Sequence, residues 1–151
     1  MSLRKYEEEK KFTFYSLTID ERKNIIEKLR KFFSKREEII LAIIYGGFMS
    51  SKIFRDIDIA VFTGYRVSYD EVNEYIDELE SEVRNKCEII ITPDIKVLDY
   101  APPSFKVKVL SEGKIIIERV PYLAILLKWS ALQEINDILL KRKRIRELIK
   151  R

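Results

Sequence analysis

The chain has 151 residues, 46% of them hydrophobic and 36% charged, with a formal net charge of +4. These values suit one folded domain of ordinary size, exclude a disordered chain, and allow an anionic partner without requiring one. The absence of histidine excludes Ser-His-Asp and Cys-His catalysis as well as histidine-ligated zinc. Any metal chemistry therefore depends on oxygen ligands, which favours hard ions such as Mg²⁺.

Cysteine content and hydropathy bear on where the protein works. Cys87 is the only cysteine, so the chain has no internal disulfide and fits a reducing cytoplasm. No apolar run approaches the roughly 20 residues of a membrane span, and residues 1–11 are too polar for a secretory signal. The sequence therefore predicts a cytoplasmic protein without a membrane partner. Its single glutamine and abundant Lys, Glu and Ile are typical of a thermophile.

The first third of the chain predicts one helix and one strand. Residues 1–17 show no regular apolar period and are expected to form an N-terminal extension. The segment 18–21 (Thr-Ile-Asp-Glu) is a capping box, and the apolar residues behind it recur at helical spacing as far as about residue 35. The β-rich run 39–45 is expected to be a buried strand that ends at Gly46-Gly47.

The remaining two-thirds predict an alternation of strands and helices. We expect, in chain order, a strand at 56–62, a helix opened by a second capping box at 68–71, a β-rich strand at 88–98 broken or bulged at its Thr-Pro, a helix at 104–110, a strand at 114–119 and a long helix from Pro121. This order predicts one α/β (α+β) domain, with a mixed sheet flanked by helices. We place the domain at 18–120 and the C-terminal helix at 121–151, packed on the domain or on a partner.

Two carboxylates stand within the strand predicted for residues 56–62. Side chains alternate along a strand, so Asp56 and Asp58 share one face while Ile57 and Ile59 share the other. Strands disfavour aspartate, and two neighbouring carboxylates repel each other unless a cation lies between them. The pair therefore predicts a metal site. The alternative is that Asp56 caps the loop and Asp58 is simply exposed on an edge strand.

A pair of glycines, Gly46 and Gly47, directly follows the buried strand at 39–45. Glycine permits a positive φ and lets a phosphate approach backbone N–H groups without a Cβ in the way. Glycines end many strands, but here the acidic pair follows after only eight residues. The combination predicts that the glycine turn binds the phosphates of a nucleotide.

The run Tyr-Gly-Gly at 45–47, eight residues, and then Asp-Ile-Asp-Ile at 56–59 resembles the signature of the DNA polymerase β-like nucleotidyltransferase superfamily. Within that superfamily the chain is most similar to the small archaeal and bacterial group called minimal nucleotidyltransferases. The similarity continues through residues 94–102 and through the Glu-Gly-Lys turn at 112–114. It covers roughly residues 18–120.

The resemblance implies a catalytic site built on carboxylates. In that family the glycine turn holds the triphosphate of an NTP, and Asp56 and Asp58 would bind two Mg²⁺ ions. A third carboxylate on a later strand completes the site as metal ligand and catalytic base. Asp94 occupies this position by its context, and Glu88, which also begins a β-rich run, is the competing candidate.

The chain departs from the family pattern in the glycine turn and the loop behind it. Gly47 replaces the usual serine, so that Ser50 or Ser51 would have to supply the missing hydroxyl to the phosphates. The loop is shorter than is common, and its basic residues are reduced to Lys52 and Arg55. We expect both at the phosphates, with a solvated loop as the alternative. Two interpretations of the chain's function follow: it is an active enzyme, or it is a catalytically degenerate binding module.

The C-terminal helix carries an apolar stripe that includes Ile125, Trp129 and Leu132. Packing on the domain's own sheet is the first expectation, and a homodimer or partner interface is the second. The run 141–151 holds seven basic residues and one acidic residue, which is typical of a solvated helix end; nucleic acid is not expected to be the main partner.

Three aromatic residues stand near the predicted site, Tyr65, Tyr100 and Phe105. Stacking on a nucleotide base is one interpretation, and packing at the rim of the domain is the commoner one.

Together these features predict a Mg²⁺-dependent nucleotidyltransferase that transfers a nucleoside monophosphate, AMP from ATP, to an acceptor. The resemblance suggests that the acceptor is a helical HEPN ribonuclease toxin, which makes the chain an antitoxin. The alternative is a degenerate member of the family that neutralises its partner by contact alone.

Overall fold

The computed structural model describes residues 13–150. Its elements, in chain order, are β1 (Tyr15–Ser16), α1 (Ile19–Ser34), β2 (Leu41–Tyr45), α2 (Gly47–Ser50), β3 (Ile53–Phe54), β4 (Asp56–Phe62), a 3₁₀ turn (Tyr69–Glu71), α3 (Val72–Cys87), β5 (Thr92–Val97), α4 (Pro103–Glu112), β6 (Lys114–Glu118) and α5 (Leu123–Ile149). Most of the predicted extension at 1–17 lies outside the described residues; its last part forms β1, which pairs antiparallel with β3. The mixed architecture confirms the predicted fold class.

Four strands form the main sheet, in the order β5-β4-β2-β6. Strand β2 runs antiparallel to β4 and β6, whereas β4 and β5 are parallel. Because parallel strands point the same way, the N-terminal ends of β4 and β5 meet at one end of the sheet. The C-terminal end of β2, where the glycine turn begins, arrives at that same end.

Helices cover both faces of this sheet. Ile57, Ile59 and Val61 of β4 pack into a core shared with α1 and α3. Ala60 and Phe62 point to the other face and pack into a core shared with α4 and α5. A strand buried on both faces is normally apolar throughout. Strand β4 departs from that rule only at Asp56 and Asp58, which lie on the α4–α5 face at the strand's beginning.

Of the two predicted capping boxes, the first is confirmed and the second is wrong. The Glu21 N–H donates to Thr18 Oγ1 at 3.1 Å and the Glu21 carboxylate accepts from the Thr18 N–H, so that α1 begins as predicted. The side chain of Ser68 makes no capping hydrogen bond; a 3₁₀ turn follows it, and α3 begins only at Val72.

Helix α3 continues to Cys87, and strand β5 begins only at Thr92. The strand predicted at 88–98 is therefore too long at its start. Pro93 lies inside β5 in continuous register with β4, so the expected break or bulge at Thr92-Pro93 is wrong. Because β5 is an edge strand, proline's missing N–H is tolerated there.

Helix α5 begins at Leu123, two residues after Pro121, and continues for 27 residues. It packs against α4, and its two buried side chains are Ala124 and Ala131. The predicted apolar stripe with Trp129 is exposed, so the expectation that this stripe packs on the domain's own sheet is wrong. Among the helices of residues 13–150, none has the length and apolar character of a membrane span.

Candidate active site

Asp58 and Asp94 lie side by side on the parallel strands β4 and β5. The register pairs Asp58 with Asp94 on one side and with Tyr45 of β2 on the other. Asp56 lies two residues earlier, on the same face of β4 and opposite Thr92. The sheet thus brings together the three aspartates that the sequence analysis selected.

The acidic cluster carries more negative charge than its surroundings compensate. Burial, together with the carboxylates of Asp94 and Asp56, raises the pKa of Asp58 from 3.8 to about 6. Lys96, whose Nζ lies 3.6 Å from Asp94 Oδ1, acts in the opposite direction. Burial above all, and then Asp58 and Asp94, also raise the pKa of the Tyr45 hydroxyl well above its ordinary value. A cation at this position would relieve the repulsion among the carboxylates.

The donor chemistry of the cluster fits a hard divalent ion, because carboxylate oxygens are the ligands that Mg²⁺ prefers. In residues 13–150, however, no group of three or more His, Cys, Asp or Glu side chains is arranged so that it could hold a metal ion. Burial and the carboxyl group of Asp94 raise the pKa of the neighbouring Asp58. The backbone register brings Asp58 and Asp94 together, but the side chains of the described residues do not form a three-ligand cluster.

Gly46 lies directly against the carboxylate of Asp58. Its φ of 73° and ψ of −157° belong to a region of backbone conformation that only glycine adopts readily. A Cβ at this position would overlap Asp58 Oδ2. Both the turn and the close approach of the acidic strand therefore require glycine here.

Gly47 is under no such constraint. A Cβ built on it would meet the Cβ of Phe54 at 3.5 Å, an ordinary contact distance. Serine, the residue usual in the family that the sequence resembles, therefore fits this position. The departure at Gly47 removes a hydroxyl without being required by the fold.

The loop behind the glycine turn holds the other residues expected at the phosphates. The Ser50 hydroxyl donates to the Gly46 carbonyl at 3.1 Å, so that it is engaged within the turn rather than directed to a ligand. The side chains of Ser51, Lys52 and Arg55 are exposed. Of the four loop residues selected from the sequence, these three remain as candidates for a phosphate contact.

Arg22 of helix α1, which was not predicted from the sequence, holds this loop in place. Its Nη1 donates to the Phe48 carbonyl at 2.5 Å, and its Nη2 donates to the carbonyls of Ser51 and Lys52 at 2.6 and 3.2 Å. Its guanidinium also lies 5.1 Å from the ring centroid of Phe54, a cation–π distance. Nothing in the spacing of α1 distinguishes this arginine, because its partners lie far away in the sequence.

Glu88, the competing candidate for the third carboxylate, lies elsewhere. It follows the last residue of α3 in a left-handed conformation with φ of 52°, and it lines a cleft together with Lys28 and Lys86. The structure places Asp94, and not Glu88, beside Asp58.

Tyr65 and Tyr100 lie at the opposite end of the sheet from the aspartates. Each follows the C-terminal end of its strand, and β4 alone extends about 13 Å beyond Asp58 at roughly 3.3 Å per residue. The two rings pack edge to face with centroids 5.8 Å apart. Base stacking at the acidic site is therefore wrong for both, and rim packing is correct. Phe105, in contrast, packs against Tyr45 beside the site, with ring centroids 5.8 Å apart.

The family model described as "Polymerase beta, Nucleotidyltransferase" matches residues 27–122, which is more than half of the chain. The chain therefore belongs to the polymerase β nucleotidyltransferase family, and the resemblance drawn from the glycine turn and the acidic pair is confirmed. Among curated proteins, none matches the sequence significantly.

Solved structures of the same fold come from toxin–antitoxin complexes. A chain from the tri-AMPylated Shewanella oneidensis HEPN toxin in complex with MNT antitoxin aligns with a TM-score of 0.62 at 17% identity, covering 86% of this chain and 99% of that one. A chain from the MntA–HepT complex aligns with 0.58 at 16% identity, covering 85% and 97%. A chain from a toxin–antitoxin structure with AMP-PNP aligns with 0.57 at 19% identity, covering 86% and 98%. At these identities the likeness shows a shared fold.

Proposed function

We propose that this chain is a Mg²⁺-dependent nucleotidyltransferase that transfers AMP from ATP to an acceptor. The observation that carries the proposal is the pairing of Asp58 with Asp94, with Asp56 on the same face and Gly46 against the Asp58 carboxylate. Membership of the family supports nucleotide transfer. The AMP-PNP and the AMPylated toxin named for two of the similar structures support ATP as the donor.

The three aspartates would hold two Mg²⁺ ions, which when bound neutralise the charge of the triphosphate and of the leaving pyrophosphate. The glycine turn lets the phosphates approach the backbone, and Lys52 and Arg55 add positive charge from the exposed loop. By its resemblance to the family, Asp94 would accept the proton of an incoming hydroxyl. The hydroxyl oxygen then bonds to the α-phosphorus as the bond to pyrophosphate breaks.

We further propose that the acceptor is a HEPN-type helical protein, for which this chain is the antitoxin. The support is the set of similar structures, two of which are named as complexes of a HEPN toxin with an MNT antitoxin and of MntA with HepT. Covalent AMP on a toxin hydroxyl is a product that the proposed chemistry accounts for directly.

A transfer assay tests the enzyme reading. The chain is incubated with Mg²⁺, each of four labelled NTPs and, as the candidate acceptor, the protein encoded by the neighbouring gene. We expect label from ATP on the partner, and a loss of about 100-fold or more in Asp58→Asn, since the variant removes a charge on which the reaction depends. Asp70→Asn, at an exposed carboxylate outside the site, is the matched control. Equal labelling by both variants would contradict the assignment.

The second candidate function is a binding module without catalysis. It is favoured by Gly47 in place of the family's serine and by the engagement of the Ser50 hydroxyl within the turn. In this reading the chain neutralises its partner by contact. If the double variant Asp56→Ala, Asp58→Ala inhibits the partner as well as the unaltered chain does, the binding module is correct and transfer is not the function.

A further inference from the structure

Helix α5 is much longer than the helix that supports it. Its 27 residues extend about 40 Å, whereas the 10 residues of α4 extend about 15 Å. Ala124 and Ala131 are buried on the α4 side, with Ala131 only 1% exposed. From residue 132 to residue 150 the helix has no buried side chain. Its second half therefore projects beyond the domain.

A second apolar face runs along α5 beside the face that carries Ala131. At 100° per residue, Ile125, Trp129, Leu132 and Leu139 lie within a quarter-turn of one another. All four are exposed, and Trp129 is 62% exposed. We call these four residues the outer face.

A helix that is apolar on more than one side is normally buried on more than one side. The domain covers α5 along the side that carries Ala124 and Ala131, with Leu123 and Leu127 partly buried there. The outer face therefore lacks a cover among residues 13–150. Exposed Trp surrounded by aliphatic side chains is also the composition typical of the centre of a protein interface. The outer face therefore fits another protein rather than water.

The charge at the end of α5 indicates the chemistry of the protein that binds the outer face. Residues 141–150 hold six basic residues and one acidic residue, all of them exposed. A second copy laid antiparallel along the full helix would set this run against residues 122–131, which contain no Asp or Glu. A parallel copy would place the basic run of one chain beside the same basic run of the other. Sliding the copies to bring the run near Glu134 and Asp137 would uncover Ile125 and Trp129.

We propose that the outer face and the basic run of α5 together form the docking surface for a helical, acidic partner protein. The partner lays apolar side chains on the outer face and carboxylates along residues 141–150. The identity of this partner as the acceptor of AMP rests on the proposed function; its chemistry rests on α5 alone.

Binding, measured separately from transfer, tests this surface. The probe is the protein encoded by the neighbouring gene, titrated calorimetrically against the full chain. The double variant Trp129→Glu, Leu132→Glu should weaken binding at least 100-fold, because both side chains lie at the centre of the outer face. Arg142→Glu, Arg146→Glu should weaken it about 10-fold, with the loss shrinking as salt rises. Ile90→Glu is the control, since Ile90 is 86% exposed and lines a cleft with Ile25 of α1, away from α5.

The two proposals fail in distinguishable ways. Asp58→Asn should bind the partner like the unaltered chain and fail to label it, whereas the Trp129–Leu132 variant should keep its affinity for Mg·ATP and its melting temperature. Undiminished partner binding by that variant, or no binding by the unaltered chain, would overturn the docking surface. So would a dimer of the chain alone, or binding to phosphatidylserine vesicles, that the same substitutions abolish.

Discussion

Two buried or half-buried aspartates stand at opposite ends of the same pair of strands, and they have opposite surroundings. Asp99, after β5, is 3% exposed and accepts hydrogen bonds from the Thr63 N–H, the Thr63 hydroxyl and the Tyr65 N–H at 3.0, 2.8 and 2.6 Å. Asp58, near the beginning of β4, is less buried, and its neighbours are the carboxylates of Asp94 and Asp56. The surroundings of Asp99 stabilise its charge, whereas the surroundings of Asp58 repel its charge.

This difference separates a structural carboxylate from a candidate functional one more clearly than burial does. A buried charge is stable when donors surround it, as they do at Asp99. A cluster of like charges with a raised pKa is retained at a cost to stability, and such clusters are frequent at functional sites. The Tyr65–Tyr100 end of the sheet therefore holds the loops together, and the acidic end is the ligand site that we propose.

The largest expected effect on stability is at the structural end. Asp99→Ala leaves two buried donors and one partly buried donor without an acceptor, and we expect a loss of about 3 kcal/mol in the free energy of unfolding. Urea denaturation followed by circular dichroism measures it. Asp58→Ala, the matched substitution at the acidic end, should not destabilise the chain. If the two losses were equal, the contrast between the two aspartates would disappear.

The two glycines of the turn should separate almost as clearly. Gly46→Ala places a Cβ into Asp58 Oδ2 at a backbone conformation that disfavours any side chain, and we expect a loss of about 2 kcal/mol. Gly47→Ala should change the free energy of unfolding by less than about 0.5 kcal/mol, as at an ordinary surface position. Thermal denaturation of the Gly46→Ala and Gly47→Ala variants measures both losses. A destabilised Gly47→Ala variant would show that the turn also requires glycine at position 47.

The repulsion at Asp58 should appear as a pH dependence of stability. Its pKa in the folded chain is about 6, above the ordinary 3.8, so the folded state binds the proton more tightly and loses stability as pH rises between these values. Asp58→Asn removes that loss. We expect it to stabilise the chain by about 1 kcal/mol at pH 8, allowing for solvent screening of a half-exposed group. At pH 3.5 the difference should vanish. A stabilisation that is independent of pH would point to packing instead.

Arg22 tests whether the loop needs to be held in place for nucleotide binding. Arg22→Gln removes the charge that binds three loop carbonyls, and we expect the Kd for Mg·ATP to rise about 10-fold. Arg22→Lys, which keeps the charge but not the forked geometry, should recover only part of the affinity. Lys23→Gln, the exposed neighbour, is the control. Nucleotide affinity that is unchanged in Arg22→Gln would separate the loop from the nucleotide site.

The smallest expected effect is a gain. Gly47→Ser restores the family's hydroxyl at a position with room for it, and we expect a severalfold increase in affinity for ATP, the size of one hydrogen bond. Isothermal titration measures it. A decrease would show that the glycine is required by this chain's own mode of nucleotide binding.

The sequence alone allowed the fold class, the glycine turn and the pairing of Asp56 with Asp58 to be predicted, because each depends on local spacing. The choice between Asp94 and Glu88 depends on the register between β4 and β5, which α3 sets by continuing to Cys87; the apolar pattern does not show where that helix ends. Arg22 was missed because its contacts are long-range. The period of α5 revealed an apolar stripe but not whether anything covers it.

The most direct test of the acidic end as a metal and nucleotide site is a crystal structure with Mn²⁺ and a non-hydrolysable ATP analogue, with anomalous scattering used to locate the metal. We expect anomalous peaks within about 2.3 Å of carboxylate oxygens of Asp58 and Asp94, with the triphosphate at Gly46-Gly47. Mn²⁺ away from these aspartates, or a nucleotide bound at the Tyr65–Tyr100 end, would contradict it.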